Sequence, residues 1–290
     1  MLMDSLVDVA WLQENLTDPD LRVLDCTVAF EVGEGGVISF HSGRGDWEKS
    51  HIPGSGFADI IDDLSDTTGP HQFTLPSANA FGDAISALGV GAGNKVVVYD
   101  STFTMWATRV WWMLKAFGFD DVAVLDGGFT AWQAARGPVT DKPTAHPKGE
   151  FNAALRPGWF VDTREVEGAI SEPGSTCVID ALMPEMYTGA QNPYGRPGHI
   201  PGAINIPAVA VVDFDTRLFL HDVSLREHFA LALDKPKQPV IAYCGGGIAA
   251  TADAFLLRRL GKSDVAVYDG SMAQWTSDPN RPLVLGDQPN

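Results

Sequence analysis

Hydrophobic and polar positions follow two alternating rhythms along this chain. Compact apolar runs rich in β-branched residues, Val96–Tyr99, Cys177–Asp180, Val240–Tyr243 and Val265–Tyr268, suit buried strands of a parallel sheet. Helical stretches separate them. Ala250–Leu260 (ATADAFLLRRL) sets Phe255, Leu256 and Leu260 on roughly one face, closes on Arg258 and Arg259, and meets Gly261. That order puts cationic side chains at the negative end of a helix dipole and a glycine at its cap. The strand–loop–helix–strand succession predicts an α/β fold with helices on both faces of the sheet.

The pattern occurs twice. Asp121–Trp132 (DVAVLDGGFTAW) returns as Asp264–Trp275 (DVAVYDGSMAQW), and HIPG at His51 returns at His199. Val23–Asp25 (VLD) matches Val178–Asp180 (VID), VVVY at Val96 matches VIAY at Val240, and LVDVAWL near Leu6 matches FVDTREV near Phe160. All recur in the same order, which points to duplication of a whole domain. Between the copies lies a stretch rich in Pro, Gly and Lys without periodicity, as expected of a linker. The expected division is a first domain at 1–137, a linker at 138–158 and a second domain at 159–290.

The chemistry concentrates at Tyr243-Cys-Gly-Gly-Gly-Ile-Ala-Ala-Thr251, where a predicted strand ends and a helix begins. Consecutive glycines let the backbone curl and turn successive N–H groups toward one point, an anion-binding nest at a helix N-terminus. Cys244 stands at its rim. Helix N-termini and N–H donors favour a thiolate, the form that attacks sulfur. Cys26 and Cys177 lie in or beside apolar strands without such a loop and read as core residues. Phosphatase-type use of a cysteine loop would need an arginine six positions on; here that residue is Ala250.

Charge narrows the partners. A formal net charge of −17 argues against nucleic acid and anionic membrane surfaces, both of which would be repelled. The opening MLMDSLVDVAWL has no basic segment or small-residue cleavage site. No apolar run approaches the ~20 residues that span a bilayer. A cytoplasmic location is the expectation.

The repeated HIPG, TRVWWMLKAFGF (Thr108–Phe119) followed by LDGGFTAW, and the cysteine loop followed by YDGSMAQW resemble the tandem-domain rhodanese family. That family includes thiosulfate and 3-mercaptopyruvate sulfurtransferases. The resemblance implies two tandem rhodanese-like domains, each a mainly parallel sheet flanked by helices. It also implies that Cys244 carries sulfur as a persulfide, with Gly245, Gly246, Gly247, Ile248 and Ala249 of its loop binding substrate. No metal or organic cofactor is required. Aligned through Tyr99 and Tyr243, Asp100 stands where the second copy has Cys244. A carboxylate cannot carry sulfur, so the first domain is expected to be catalytically silent.

Departures from the family pattern bear on the donor. The mercaptopyruvate branch typically reads Cys-Gly-Ser/Thr-Gly-Val-Thr-Ala, and here Gly246 replaces the hydroxyl residue. The thiosulfate branch typically has basic side chains directly after its cysteine, and here there are none. The arginine usual beyond the Asp180-type aspartate is also missing, with Met186 near its place. Arg196, in YGRPGH, is the candidate replacement, because a guanidinium offers fixed donors to a thiosulfonate or carboxylate. The expected activity is transfer of sulfane sulfur from a small anionic donor, thiosulfate in preference to 3-mercaptopyruvate, to a thiol or cyanide acceptor. The alternative is a protein-to-protein persulfide relay or a sulfide-responsive module.

Overall fold

The computed structural model describes residues 2–33 and 38–290. The chain forms two compact units, Met1–Arg156 with Asp213–Phe219, and Pro157–Val212 with Leu220–Asn290. The short segment 213–219 thus packs with the first unit: the Phe219 N–H donates to Asp126 Oδ1 at 2.9 Å, and the Arg217 guanidinium lies 4.2 Å from the Phe103 ring centre.

The strands of the first unit are β1 (Leu6–Val7), β2 (Leu21–Asp25), β3 (Val28–Val32), β4 (Ile38–Ser42), β5 (Ser55–Phe57), β6 (Lys95–Tyr99) and β7 (Val122–Leu125). Its helices are α1 (Val9–Asn15), α2 (Arg44–Trp47), α3 (Ala78–Ala87), α4 (Met105–Ala116) and α5 (Gly128–Ala134). Five strands make a fully parallel sheet in the order β1-β7-β6-β2-β5, while β3 and β4 form a separate antiparallel hairpin.

The second unit has β8 (Phe160–Val161), β9 (Cys177–Asp180), β10 (Ile204–Asn205), β11 (Val240–Tyr243) and β12 (Val265–Tyr268). Its helices are α6 (Thr163–Ser171), α7 (Pro184–Tyr187), α8 (Asp222–His228), α9 (Ala230–Leu233), α10 (Ala250–Arg259) and α11 (Ser271–Trp275). The sheet is again parallel, in the order β10-β9-β11-β12-β8. Read from the other edge, this is the strand order of the first unit, so the repeat in the sequence is a repeat in topology. The predicted strands coincide with β9, β11 and β12, and the predicted helix with α10.

Matching residues carry matching duties in the two cores. Trp132 and Trp275 are fully buried, and each indole N–H donates to a proline carbonyl, Pro138 and Pro282, at 2.9 Å. The Tyr99 hydroxyl accepts the Ile52 N–H at 3.3 Å, and Tyr243 accepts that of Ile200 at 3.0 Å. The HIPG histidines act on backbone: His51 Nδ1 donates to the Trp47 carbonyl at 2.6 Å and His199 Nδ1 to that of Tyr187 at 2.9 Å. Large apolar side chains thus fix each sheet, and the polar ends of aromatic residues find backbone partners rather than stay orphaned. No described helix is long and apolar enough to cross a membrane.

Candidate active site

In both units the central strand, β6 or β11, runs into a loop that opens a helix. In the second unit the residue after the strand is Cys244, only 2% exposed. Its backbone is clamped to the start of α11. The Cys244 N–H donates to Ser271 Oγ at 3.1 Å, and the Ser271 hydroxyl donates to the Tyr268 carbonyl at 2.8 Å. The Cys244 and Gly245 carbonyls accept the N–H groups of Met272 and Ala273 at 3.0 and 2.9 Å. Ser271 holds a left-handed φ of 47°, matching Gly128 at 54° in the first unit. This turn brings α11 onto the loop, as the DGS and DGG motifs foreshadow.

The loop curls at Gly247, whose φ of +75° explains a glycine there. Thr251 closes it, its hydroxyl donating to the Ile248 carbonyl at 2.7 Å. Among the described residues, the N–H groups of Gly245, Gly246, Ile248, Ala249 and Ala250 reach no protein acceptor. Open amides are normal at a helix start. Here they collect within a few residues of a cysteine.

The first unit supplies the comparison. Thr104 takes the positive φ (65°), and Thr108 donates to the Met105 carbonyl at 3.0 Å, as Thr251 does to Ile248. Thr104 is four residues past Asp100, whereas Gly247 is three past Cys244, so the first loop is one residue longer. Its amides are occupied. Asp100 Oδ1 accepts the N–H groups of Thr102 and Thr104 at 2.8 and 3.1 Å, and Oδ2 those of Trp106 and Ala107 at 3.0 Å each. With the offset, Trp106 and Ala107 correspond to Ala249 and Ala250. The same backbone design therefore holds an anion in one unit and is open in the other.

The other cysteines have different surroundings. Burial drives the Cys26 thiol well above its ordinary pKa, with the Asp25 and Asp100 carboxyls adding to the effect, and burial also raises Cys177. Neither follows a loop of this type.

Arg196 is committed to backbone. Its two terminal nitrogens donate to the carbonyls of Asp278 and Arg281 at 2.9 and 2.8 Å. Asp180 Oδ1 accepts the Leu182 N–H at 2.8 Å, within its own turn rather than in the cysteine loop. Burial pushes the Asp180 carboxyl up to about 6. Asp253, in the first turn of α10, is fully buried with both carboxylate oxygens unpartnered. Burial, then the nearby Asp180, holds its carboxyl well above the ordinary carboxylate range.

The residue that sequence reasoning missed is Tyr194. A Cβ at Gly245 would overlap its hydroxyl and lie 2.5 Å from its Cζ, so the phenol occupies the space a loop side chain would fill. The Thr276 hydroxyl, donating to the Tyr194 carbonyl at 2.7 Å, fixes it from α11's C-terminus. Nothing local in NPYGRPGH announces this placement.

A family model for the rhodanese-like domain matches residues 8–135 and again 162–278. The mouse (Mus musculus) 3-mercaptopyruvate sulfurtransferase is 36% identical over 94% of this chain and 92% of its own length. The rat (Rattus norvegicus) thiosulfate sulfurtransferase is 33% identical over 95% and 93%. Among solved structures, SseA from Escherichia coli, a 3-mercaptopyruvate sulfotransferase with the rhodanese fold, superposes with a TM-score of 0.82 at 31% identity. That match covers 93% of this chain and 99% of SseA. With the family model on both halves and relatives above 30% identity along nearly its whole length, the chain belongs to the rhodanese family of sulfurtransferases.

Proposed function

We propose that this protein moves sulfane sulfur from a small anionic donor to a thiol or cyanide acceptor through a persulfide on Cys244, and that its first domain does no chemistry. The observation that carries the reading is the pairing of an occupied and an open loop. Asp100 draws a carboxylate onto amides whose counterparts at Ala249 and Ala250 lack a protein acceptor among the described residues. A charged sulfur on Cys244 is the natural occupant of the second loop.

The chemistry takes two displacements at one sulfur. The Cys244 thiolate attacks the donor's outer sulfur, a new S–S bond forms, and the electron pair of the broken bond leaves with sulfite or with pyruvate enolate. The acceptor's thiolate or cyanide then takes the outer sulfur and returns the Cys244 thiolate. Ping-pong kinetics follow. Donor-binding roles fall to the loop Gly245–Ala249, whose neutral amides supply what basic side chains would otherwise supply.

Relatives named for both donors match at similar identity. The loop alone, lacking the hydroxyl at Gly246, leans toward thiosulfate. A cysteine only 2% exposed suits a small donor better than a relay limited to protein partners.

Mass spectrometry after exposure to thiosulfate or 3-mercaptopyruvate tests the reading. One sulfur added at Cys244, and none in Cys244→Ser, is the expected result. Turnover by Cys244→Ser at the wild-type rate would overturn it.

A further inference from the structure

We propose that the Tyr194 hydroxyl donates a hydrogen bond to the sulfur held on Cys244, supplying from a neighbouring segment the hydroxyl that the loop lacks at Gly246. This deepens the persulfide reading and rests on it. The phenol ring fills the space beside the residue next to the cysteine, at the position a side chain on residue 245 would take. Among the described residues its hydroxyl has no hydrogen-bond partner, whereas the core hydroxyls of Tyr99 and Tyr243 each accept a backbone N–H. An unengaged phenol beside a nucleophile is a donor in waiting.

Three further observations fit this role. Tyr194 is fixed at its backbone by Thr276, and two residues on, Arg196 ties the same segment to the carbonyls of Asp278 and Arg281. The ring thus approaches Gly245 from a segment anchored at both points. Burial, followed by the proximity of Cys244, holds the phenol well above its ordinary pKa, so it keeps its proton wherever thiols ionise. Finally, Gly245 is explained: any side chain there would displace the phenol. A basic residue after the cysteine and a tyrosine at 194 exclude one another.

In the reaction the hydroxyl moves no proton. It stabilises negative charge on the Cys244 thiolate and on the outer sulfur of the persulfide while the donor's bond breaks. Against a neutral loop this adds to the amides without adding charge. The hydroxyl-free loop then no longer disfavours 3-mercaptopyruvate, and that donor joins thiosulfate on an equal footing.

The test is Tyr194→Phe, which removes one oxygen and keeps the ring. Steady-state kinetics with both donors are expected to show kcat/KM lowered about 10- to 100-fold, mainly in kcat, with sulfur still added at Cys244 and an unchanged Tm. Gly245→Ala, which pushes the phenol away, is expected to give the same loss with the hydroxyl still present. Wild-type kcat/KM in Tyr194→Phe for both donors overturns the inference, as does a loss tracked wholly by a fall in Tm. Persulfide absent from the wild-type protein would instead sink the underlying reading, so the two failures are distinguishable.

Discussion

Asp100 and Cys244 stand at the same point of two copies of one loop, and only Asp100 fills its own cradle. Its carboxylate takes the N–H groups of Thr102, Thr104, Trp106 and Ala107, while those of Gly245, Gly246, Ile248, Ala249 and Ala250 reach no protein acceptor among the described residues. The contrast sets a loop closed on a carboxylate in the first unit against an open set of donors beside a cysteine in the second.

Asp100→Ala is expected to destabilise the first unit by about 2–4 kcal/mol, since several buried amides lose a charged acceptor at once. Urea unfolding followed by tryptophan fluorescence reads this, because Trp106 and Trp112 are buried on the helix that the loop opens. An unchanged midpoint would mean that the carboxylate is not what holds the loop.

Cys244→Asp converts the second loop to the chemistry of the first. The variant is expected to be inert toward both donors but at least as thermostable as Cys244→Ser, because the new carboxylate can accept the open amides. A clearly lower Tm than Cys244→Ser would show that the shorter loop does not accommodate an anion in this way.

Arg196→Lys separates anchoring from donor binding. The lysine keeps the charge but cannot hold the carbonyls of Asp278 and Arg281 together. Loss of this anchor is expected to lower stability by about 1–2 kcal/mol and to reduce kcat through Tyr194. A rise in the donor's KM with unchanged Tm would instead assign Arg196 to the donor's anionic group.

The buried carboxyls set a pH dependence. Burial raises Asp25 and Asp180 from 3.8 to about 6, and raises Asp253 well above its ordinary value. The folded protein therefore keeps protons that the unfolded chain has released. For Asp25 and Asp180 this contribution is complete below about pH 4 and is lost as pH rises through about 6. Asp180→Asn is expected to gain on wild type between pH 4 and 7, approaching about 3 kcal/mol. Thermal unfolding across that range measures it; a constant gap between the two proteins would contradict the buried, protonated state.

The duplication was legible because it is written in contiguous motifs. VIAY and VAVYDG are buried strand and tight turn in the same few residues, so the strands they mark could be read from the sequence. The place of Cys244 was legible for the same reason, lying between a strand and a helix that each announce themselves. Tyr194 was not, since its relation to Gly245 joins residues about fifty positions apart and depends on space rather than on pattern. For Arg196 the charge is visible in the sequence, but the carbonyls that its guanidinium holds are not. The offset between the two loops also escaped alignment through Tyr99 and Tyr243, because a single added residue before Thr104 leaves the flanking strands and helices unchanged.

A cradle that Asp100 keeps permanently shut in one half stands ajar in the other. On the persulfide reading proposed above, arrival of sulfur on Cys244 is comparable to a ligand binding its own receptor. Amide exchange at Ile248–Ala250 is expected to slow when the persulfide is loaded and to quicken when it is discharged, so that the backbone registers each half of the catalytic cycle.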